Sequence, residues 1–416
     1  MREEVFARMY RSSAAIARHT SGGAFRCLLP VLAALIAAPA SARPAVQSAV
    51  AVAPAAQGRW TPERAGSWYA AQPWIVGANF LPSTAINQLE MFQAETWDPQ
   101  TIDRELGFAQ AAGMNTVRVY LHDLLWEQDP RGFRKRMDEF LAIASRRGIR
   151  PTIVLFDSCW NPDPELGPQP RALPGVHNSG WVQSPGRRRL VNRAEHPKLL
   201  AYVRGVVGAF AKDDRILMWD VWNEPDNEGG GSYNPLQLSG EKAAVAELLP
   251  QVFAAARRAG ATQPLTSGVW RGADWSPSST TINEIQRIQL AQSDVISFHN
   301  YDWPEQFEQR IAQLRPYGRP ILCTEWLARG NGSTVDTILP IAKRENVAMI
   351  NWGLVDGDSQ TRFPWDSWDR PYVTREPAVW FHDLYRVDGT PYRQREIDLF
   401  RQLTGRGQTQ PAPARR

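Results

Sequence analysis

Short apolar segments recur along the chain between longer amphipathic stretches. Each segment has no more than seven residues and is rich in β-branched or aromatic residues, which is typical of strands buried on both faces of a parallel sheet. The eight segments are residues 74–80, 115–121, 150–156, 216–222, 264–269, 294–299, 320–325 and 347–353. The pattern therefore predicts eight strands.

Helical periodicity fills most of the gaps between these segments. The amphipathic stretches are residues 100–112, 131–147, 197–210, 241–259, 305–314, 334–344 and 378–385. Gly113, Gly148 and Gly260 follow three of them, as expected for the left-handed residue that ends a helix. Strands that alternate with helices in this way predict an α/β fold, a (β/α)8 TIM barrel in a single domain over residues 59–404. A doubly wound open sheet is the alternative, but no Gly-x-Gly-x-x-Gly follows the first segment.

The N-terminal region has the features of an export signal. Five arginines precede an apolar run at residues 27–38, and Ala40-Ser41-Ala42 offers small residues for cleavage. We therefore expect a signal peptide at 1–42, an Ala/Pro-rich linker at 43–58 and a disordered tail at 405–416. The apolar run is shorter than the roughly 20 residues that span a bilayer. This predicts a secreted or periplasmic protein without stable membrane insertion after cleavage; an uncleaved anchor is the alternative.

Charge and composition narrow the class of partner. The chain has 47 Lys and Arg against 43 Asp and Glu, and five of these arginines and two of these glutamates lie within residues 1–42. The remainder is nearly balanced, so nucleic acid is not an expected partner. The 17 tryptophans exceed what a core needs and indicate a ligand that stacks on flat rings. Cys159 and Cys323 are too few for a disulfide framework, and we expect two unpaired core thiols in a monomer.

Acidic side chains follow two of the predicted strands. The fourth predicted strand ends in Trp222-Asn223-Glu224-Pro225, and Glu325 ends the seventh. In a parallel barrel all strand C-termini open at one mouth, so these two carboxyl groups can face each other. A pair of carboxyl groups is what glycosidic cleavage requires, one to donate a proton and one to attack or position water. For either glutamate alone, a turn or a charged strand end would be the simpler interpretation.

Specific residues around the two glutamates resemble a known family. Trp222-Asn223-Glu224-Pro225, followed 101 residues later by Glu325 within Thr324-Glu325-Trp326, is similar to the retaining glycoside hydrolases of clan A, most of all to the cellulase and mannanase group of family 5. The resemblance extends over most of residues 70–355. It implies an enzyme that cleaves a β-linked polysaccharide or oligosaccharide, of β-glucan or β-mannan type, by double displacement, and the N-terminal signal makes this an exported enzyme.

The same resemblance implies a role for each matching residue. Glu224 would be the general acid/base and Glu325 the nucleophile, with Asn223 on the sugar 2-hydroxyl and Arg118 holding the nucleophile ionised. His299 and Tyr301 would tune the pair, and Trp352 would form the floor of the subsite where the bond breaks. An arginine favours the ionised form of a neighbouring carboxyl group, and two adjacent carboxyl groups resist ionising together, which agrees with these roles. Asp220 shares the inward face with Glu224, so we expect it to be buried and paired, with Arg118 as the candidate partner.

One segment departs from the family pattern. A histidine is common at the end of the third strand, where this chain has Phe156-Asp157-Ser158-Cys159-Trp160, so another carbohydrate-active family of the clan is an alternative. Long loops follow the third and eighth strands, and loops of that length are usually functional. We expect their rings, with the strand-end Trp326, to contact sugar, whereas we expect His177 to be a loop hydrogen-bonding residue. The ring-bearing loop residues are Trp160, Trp181, Trp365 and Trp368.

The sequence has none of the usual cofactor motifs. No His and Cys cluster has metal-ligand spacing, no Gly-rich loop precedes a lysine, and no Gly-x-Ser-x-Gly is present. We therefore predict hydrolysis without metal or cofactor. A transglycosylase on the same scaffold and a non-catalytic carbohydrate-binding barrel are the alternatives. Product analysis separates the first from a hydrolase, and the presence of both glutamates counts against the second.

Overall fold

The structure, a computed structural model, describes residues 58–406. The predicted signal peptide at 1–42, nearly all of the linker at 43–58 and residues 407–416 of the predicted tail lie outside this range. Among the described residues, no helix combines the length and the apolar character needed to cross a membrane.

Eight parallel strands form the sheet, and each lies within a predicted segment. They are β1 (Val76–Asn79), β2 (Thr116–Tyr120), β3 (Thr152–Val154), β4 (Met218–Asp220), β5 (Leu265–Thr266), β6 (Ile296–His299), β7 (Ile321–Glu325) and β8 (Ala348–Asn351). Every strand residue is buried, as expected for a sheet covered on both faces.

The sheet closes into a barrel. Its ladder order is β5-β4-β3-β2-β1-β8-β7-β6, and an isolated parallel bridge between Val269 and Phe298 joins the two ends. At one point the backbones approach unusually closely, because a Cβ on Gly77 of β1 would lie 2.0 Å from the Thr116 carbonyl oxygen of β2. Glycine is therefore required there. The prediction of a (β/α)8 TIM barrel is confirmed.

Helices surround the barrel and supply the outer layer of the core. They are α1 (Pro62–Ala70), α2 (Gln88–Phe92), α3 (Pro99–Ala112), α4 (Asp123–Gln128), α5 (Pro130–Arg146), α6 (Arg187–Val191), α7 (His196–Ala209), α8 (Glu241–Arg258), α9 (Glu284–Gln292), α10 (Pro304–Leu314), α11 (Val335–Arg344) and α12 (Gln394–Leu403). Asp98 begins α3 by accepting the Thr101 amide, and Gly113 ends it in a left-handed conformation with φ of 91°. Trp60 and Ala65 near α1 pack under the N-terminal end of the barrel.

One predicted helix is wrong. Residues 378–385 have helical apolar spacing but form irregular backbone, and the helix that follows β8 is α12 instead. The segment is held in this irregular conformation by long-range contacts: Tyr385 pairs with Val355 in a parallel bridge, and Phe381 donates its amide to the Arg362 carbonyl. Tertiary contacts thus outweigh the local periodicity. Six of the described helices were not predicted from the sequence, namely α1, α2, α4, α6, α9 and α12.

Candidate active site

Two strand ends bring a pair of glutamates together at the mouth of the barrel. Glu325 is the last residue of β7, and Glu224 lies four residues after the last residue of β4. Carboxylate oxygens of both residues and a ring nitrogen of His299 lie within 4.8 Å of one another. The exposed fractions of Glu224 and Glu325 are 7% and 5%. The predicted convergence of these strand ends is therefore observed.

The backbone at Glu224 is strained. Its φ is 43°, in the left-handed region, although the following residue is Pro225. A side chain with a Cβ disfavours this region, and a following proline favours extended backbone, so the conformation costs on the order of 1–3 kcal/mol. A turn stabilises this conformation, since the backbone N–H of Asn227 donates to the Glu224 carbonyl at 2.8 Å. Strain of this kind concentrates where a side chain must point in one direction.

Arg118 of β2 joins the two sides of the mouth from below. It is fully buried and donates to Asp220 at 2.8 Å and to Glu325 at 2.8 Å. It also donates to the Asn223 side chain at 2.7 Å. The expectation that Asp220 is a buried partner of Arg118 is confirmed. One guanidinium thereby compensates two buried carboxylates, which would each be costly alone.

Two tyrosines complete the surroundings of Glu325. Tyr301 donates to one carboxylate oxygen at 2.8 Å, and Tyr120 donates to the other at 3.0 Å. Burial opposes ionisation of Glu325, but the charges of His299 and Arg118 and the hydrogen bonds from Tyr301 and Arg118 outweigh it, so the pKa of Glu325 lies below its ordinary value. The geometry thus maintains an anion at this position.

The surroundings of Glu224 differ in chemical type. His299 Nδ1 lies 2.7 Å from one Glu224 oxygen and 3.5 Å from Glu325. The other Glu224 oxygen accepts a hydrogen bond from the side-chain amide of Asn227 at 2.6 Å and one from the Cys159 thiol at 3.3 Å. Burial, followed by the nearby carboxylates, raises the pKa of the Cys159 thiol well above its ordinary value. The thiol therefore stays protonated and can donate.

The position of Cys159 differs from the prediction that both unpaired thiols lie in the core. Both Cys159 and Cys323 are unpaired, but only Cys323 is fully buried in the core. Cys159 lies at the mouth because the segment after β3 pairs with the segment after β4, as the Cys159–Gly229 bridge shows.

Asn223 is held from two sides by the barrel. Its amide nitrogen donates to Asp157 at 2.9 Å, and its oxygen accepts from Arg118. Trp181 donates its ring N–H to the other Asp157 oxygen at 2.6 Å. Burial raises the pKa of Asp157 to about 7, although three hydrogen bonds oppose that change. Asn223 is therefore fixed in orientation, and its contact with a sugar hydroxyl stays a prediction.

The predicted aromatic residues occupy different places. Trp352 is partly exposed, and its ring lies edge-on to Tyr120 and to Trp181, with centroids 6.0 and 5.9 Å away. Trp181 has an exposed fraction of 4%, and Trp160 is half-buried. Trp160 stacks on Trp368 with centroids 4.9 Å apart and an interplanar angle of 10°. Two of these rings thus cover each other at the rim.

The prediction for Trp326 is wrong. Its side chain is fully buried, and its ring lies 6.5 Å from Phe400 of α12 in the outer layer of the core. Successive residues of a strand point to opposite faces, so the residue after Glu325 turns away from the mouth. An enclosed ring cannot stack on a sugar. His177 agrees with expectation, because it donates its amide to Ser367 and its ring bonds the Phe363 carbonyl.

The same cluster contains the atoms that could hold a metal ion. Among residues 58–406, one group of suitable side chains is found, namely Glu224, His299 and Glu325. A cation there would lie against the Arg118 guanidinium, which is 2.8 Å from Glu325. The positive charge of Arg118 repels a cation bound to the same carboxylate, so the cluster suits an organic hydroxyl-bearing ligand better.

Several residues of the site were not recognised in the sequence. Tyr120 could have been predicted, since it lies two residues after Arg118 and therefore on the same face of the strand. Asp157 and Cys159 lie in the segment that follows the third strand, where only the absence of a histidine was considered. Asn79 donates to the Thr324 carbonyl at 2.8 Å and accepts from Arg118 at 2.9 Å, and nothing in its local sequence distinguishes it.

Fold and site together define a carbohydrate-active barrel with paired glutamates. The family model described as cellulase (glycosyl hydrolase family 5) matches residues 82–358, which is more than half of the chain. The chain therefore belongs to glycoside hydrolase family 5 and is an O-glycosyl hydrolase of the cellulase/mannanase type, acting on β-linked glycans. The departure at Asp157-Ser158-Cys159 does not remove it from the family.

Solved structures share the fold at low identity. A GH5_18 protein from Streptomyces cattleya in complex with GlcNAc has a TM-score of 0.54 and 16% identity, and the match covers 83% of each chain. The exo-β-1,4-mannosidase Op5Man5 from Opitutaceae bacterium strain TAV5 has a TM-score of 0.54 and 18% identity, covering 80% of this chain and 60% of that one. An endo-β-1,4-mannanase from Thermotoga petrophila has a TM-score of 0.50 and 13% identity, covering 83% and 80%. No curated protein matches the chain.

Proposed function

We propose that the protein is an exported retaining glycoside hydrolase that cleaves β-linked glycans of the β-mannan or β-glucan type by double displacement. The observation that carries the proposal is that one oxygen of the Glu224 carboxylate and one oxygen of the Glu325 carboxylate lie within 4.8 Å of each other. In retaining enzymes the two carboxyl groups are about 5–5.5 Å apart, whereas inverting enzymes need roughly 6.5–9.5 Å to admit a water molecule. The observed spacing supports retention.

In the first step, Glu325 attacks the anomeric carbon and Glu224 gives its proton to the departing glycosidic oxygen. A covalent glycosyl-enzyme and a free glycan hydroxyl result. The environment supports this division, because Arg118, Tyr120 and Tyr301 all donate to Glu325 and stabilise its negative charge.

In the second step, Glu224 removes a proton from water as the water oxygen attacks the anomeric carbon, and Glu325 leaves as a carboxylate. Trp352 forms the floor beside the pair, and Asn223 is fixed where it can bond the sugar 2-hydroxyl. His299 contacts both carboxylates, so it can stabilise whichever of them carries the negative charge in a given step. No metal or cofactor takes part in either step.

Substitution of each glutamate tests the assignment. We expect Glu325→Ala and Glu224→Ala each to lower kcat by roughly 10³-fold or more while the melting temperature stays near that of the wild type. Glu224→Ala should recover activity on aryl glycosides with an activated leaving group, because only protonation of that group is lost. Unchanged turnover in either variant would remove the assigned role.

Product analysis tests stereochemistry and acceptor. NMR of the first product should show the β-anomer, and an α-anomer would contradict double displacement. The panel begins with β-mannosides, followed by β-glucans and β-xylans, since mannosidase and mannanase structures share the fold. Water as the acceptor yields only shorter sugars, whereas a transglycosylase would also yield longer ones.

Export is a separate part of the proposal. The features of residues 1–42 support it, and we expect a secreted or periplasmic monomer. Expression of the full chain followed by N-terminal sequencing of the extracellular or periplasmic protein should give a start near residue 43. A protein retained in the cytoplasm with an intact N-terminus would contradict export and leave the enzymatic assignment unaffected.

A further inference from the structure

Two long loops join each other above the mouth of the barrel. The β3 loop, residues 155–186, and the β8 loop, residues 352–393, follow their strands. Asn178 of the β3 loop donates its amide to the Ser359 carbonyl at 2.9 Å, and Tyr372 donates to the Gly175 carbonyl at 2.9 Å. Backbone hydrogen bonds that join two loops in this way restrict both of them.

Side chains and close backbone contact strengthen this junction. His177 donates its amide to the Ser367 hydroxyl at 2.9 Å, and its ring lies 3.0 Å from the Phe363 carbonyl. Gly175 has φ of 72°, and a Cβ there would lie 2.4 Å from the Tyr372 backbone. The two loops therefore leave no passage between them at this point.

The β1 loop, residues 80–98, closes the third side. Asp358 of the β8 loop donates its amide to the Ser83 carbonyl at 3.1 Å, and a Cβ on Gly357 would lie 2.4 Å from the Ser83 backbone. Asn87 donates its side-chain amide to the Gly180 carbonyl of the β3 loop at 2.8 Å. The three loops thus form one continuous cover, called the roof below, over the ends of β1, β2 and β8.

Aromatic rings extend the roof towards the β4 side. Trp160 of the β3 loop stacks on Trp368 of the β8 loop, and Trp368 meets Tyr233 edge-on with centroids 5.6 Å apart. On the other flank Trp365 lies 5.1 Å from Tyr301, the residue that donates to the proposed nucleophile. Little of either catalytic carboxylate is exposed, which fits a pocket and not a groove open at both ends.

The chemistry fixes which part of a glycan lies under the roof. Glu224 protonates the leaving oxygen, so the leaving portion lies on the β4 side of the mouth. The sugar that forms the covalent bond with Glu325 extends the other way, over Trp352. In a ring of eight strands β4 lies opposite β8, so this sugar points towards β8, β1 and β2, beneath the roof.

Free space at this end of the mouth is small. A cavity of about 30 Å³ lies at this end, lined in part by Tyr120, Asn178, Trp181, Trp352 and Asp383. Such a cavity accommodates water molecules, each of which needs roughly 10–15 Å³ by this measure, but not a second sugar ring. The side-chain amide of Asn178, unlike its backbone N–H, has no hydrogen-bond partner although it is buried, so it is available to a hydroxyl group at the far edge of a terminal sugar.

We propose that the enzyme acts from the non-reducing end of its glycan, holding one terminal sugar under the roof and releasing it as a monosaccharide. The proposal rests on the proposed function, since it uses the roles of Glu224 and Glu325 to orient the glycan. Water is consumed as in the two steps above, and the remaining chain leaves one unit shorter. Asn178 is assigned to recognition of the terminal sugar.

End-blocked oligosaccharides test the direction of attack. The substrates are β-1,4-linked manno-, gluco- and xylo-hexaoses, each in two forms: one reduced to the alditol at its reducing end, and one methylated at the 4-hydroxyl of its non-reducing end. We expect at least one alditol series to release monosaccharide as the first product, and its methylated counterpart to react at least a hundredfold more slowly. Early products of mixed length, or equal cleavage of the methylated form, would overturn the proposal.

The same experiment separates this proposal from the one on which it rests. Internal cleavage of any hexaose with retention leaves the double-displacement hydrolase in place and rejects only attack from the chain end. Complete inactivity towards every hexaose and the corresponding aryl β-monoglycosides contradicts the proposed function itself.

Variants of the roof sharpen the test. Gly357→Ala forces the β8 loop away from Ser83, and Ser367→Ala removes the hydrogen bond to the His177 amide. We expect either change to raise the ratio of disaccharide to monosaccharide products at least tenfold. Gly66→Ala in α1 is the matched control, because its new Cβ meets nothing within 4 Å, and its product ratio should equal that of the wild type. Ser367→Ala retains the loop backbone and serves if Gly357→Ala does not fold.

Asn178→Ala gives an independent measurement. We expect it to raise KM for an aryl β-monoglycoside about tenfold with less change in kcat, because a binding contact to the terminal sugar is lost. An unchanged KM in a folded Asn178→Ala variant would remove this residue from the pocket.

Discussion

Glu325 and Glu224 have the same functional group and nearly equal burial, yet their surroundings differ in kind. Glu325 accepts from the Arg118 guanidinium and from two tyrosine hydroxyls. Glu224 accepts from the neutral side chains of Asn227 and Cys159 and shares His299 with its partner. In the proposed mechanism this contrast assigns different tasks to identical groups: a fixed cation stabilises the Glu325 anion, and Glu224, held by neutral donors, is the proton donor.

Arg118→Met removes the cation and should have the largest effect on this contrast. We expect kcat/KM to fall by roughly 10²–10³-fold and the free energy of unfolding to fall by about 3–5 kcal/mol, because Asp220 and Glu325 lose their shared partner. The lost charge also raises the pKa of Glu325, so the acidic limb of the pH–rate profile should move to higher pH. Kinetics across pH and chemical denaturation check both effects.

Arg257→Met is the control for burial of an ion pair. Arg257 bonds Asp294 at 3.0 Å below the N-terminal end of β6, far from the mouth. Its loss should lower stability without moving the pH–rate profile. If both variants shift the acidic limb equally, the special role of Arg118 is rejected.

Tyr301→Phe removes a hydrogen bond to Glu325 and should have the second largest effect. We expect kcat to fall by about tenfold to a hundredfold, as for hydrogen bonds to charged groups. Because that hydrogen bond helps to keep the pKa of Glu325 low, its loss raises this pKa, and activity at acidic pH falls more than activity at neutral pH. The pH dependence of kcat/KM is the measurement.

Tyr202→Phe is the matched control, since the Tyr202 hydroxyl donates to the Leu155 carbonyl at 2.9 Å outside the mouth. It should leave the pH profile in place. If the pH dependence of kcat/KM for Tyr301→Phe has the same shape as that of the wild type and differs only in height, Tyr301 has no role in the ionisation of Glu325.

Asn227→Ala tests the other glutamate and should have a smaller effect. The 2.6 Å bond from the Asn227 amide orients one oxygen of Glu224, and we expect its loss to lower kcat about tenfold. Substrates with activated leaving groups should be affected less, because they need less proton donation. Asn192→Ala, which removes a cap on a distant turn, should match the wild type. Equal losses on activated and ordinary substrates would contradict this role.

Cys159→Ala should have the smallest effect of the four. A thiol is a weak donor, and the 3.3 Å contact is long, so we expect kcat to change by no more than about threefold. Cys323→Ala, a change in the core, is the comparison for stability. A loss as large as that of Asn227→Ala would show that the two neutral donors are equivalent.

Most of the barrel was predictable because its signal is local. A strand buried on both faces is mostly apolar, and every strand from β1 to β8 lies within such a segment. The failure at 378–385 has a physical cause, because an apolar period does not distinguish a helix from an irregular segment that packs its rings against other parts of the protein. The prediction that Trp326 contacts sugar is wrong because adjacent residues of a strand face opposite sides of the sheet.

The sequence by itself determined the strands, the helices between most of them and the two glutamates at the strand ends, because periodicity and strand termini are encoded by neighbouring residues. Only the tertiary structure decided that Arg118 bridges Asp220 and Glu325, that Cys159 contacts Glu224, and that three distant loops join above one side of the mouth. Those contacts join residues far apart in the chain, with a separation of 207 residues between Arg118 and Glu325 and a still larger one between Ser83 and Asp358. Their geometry depends on closure of the barrel, which no local pattern records.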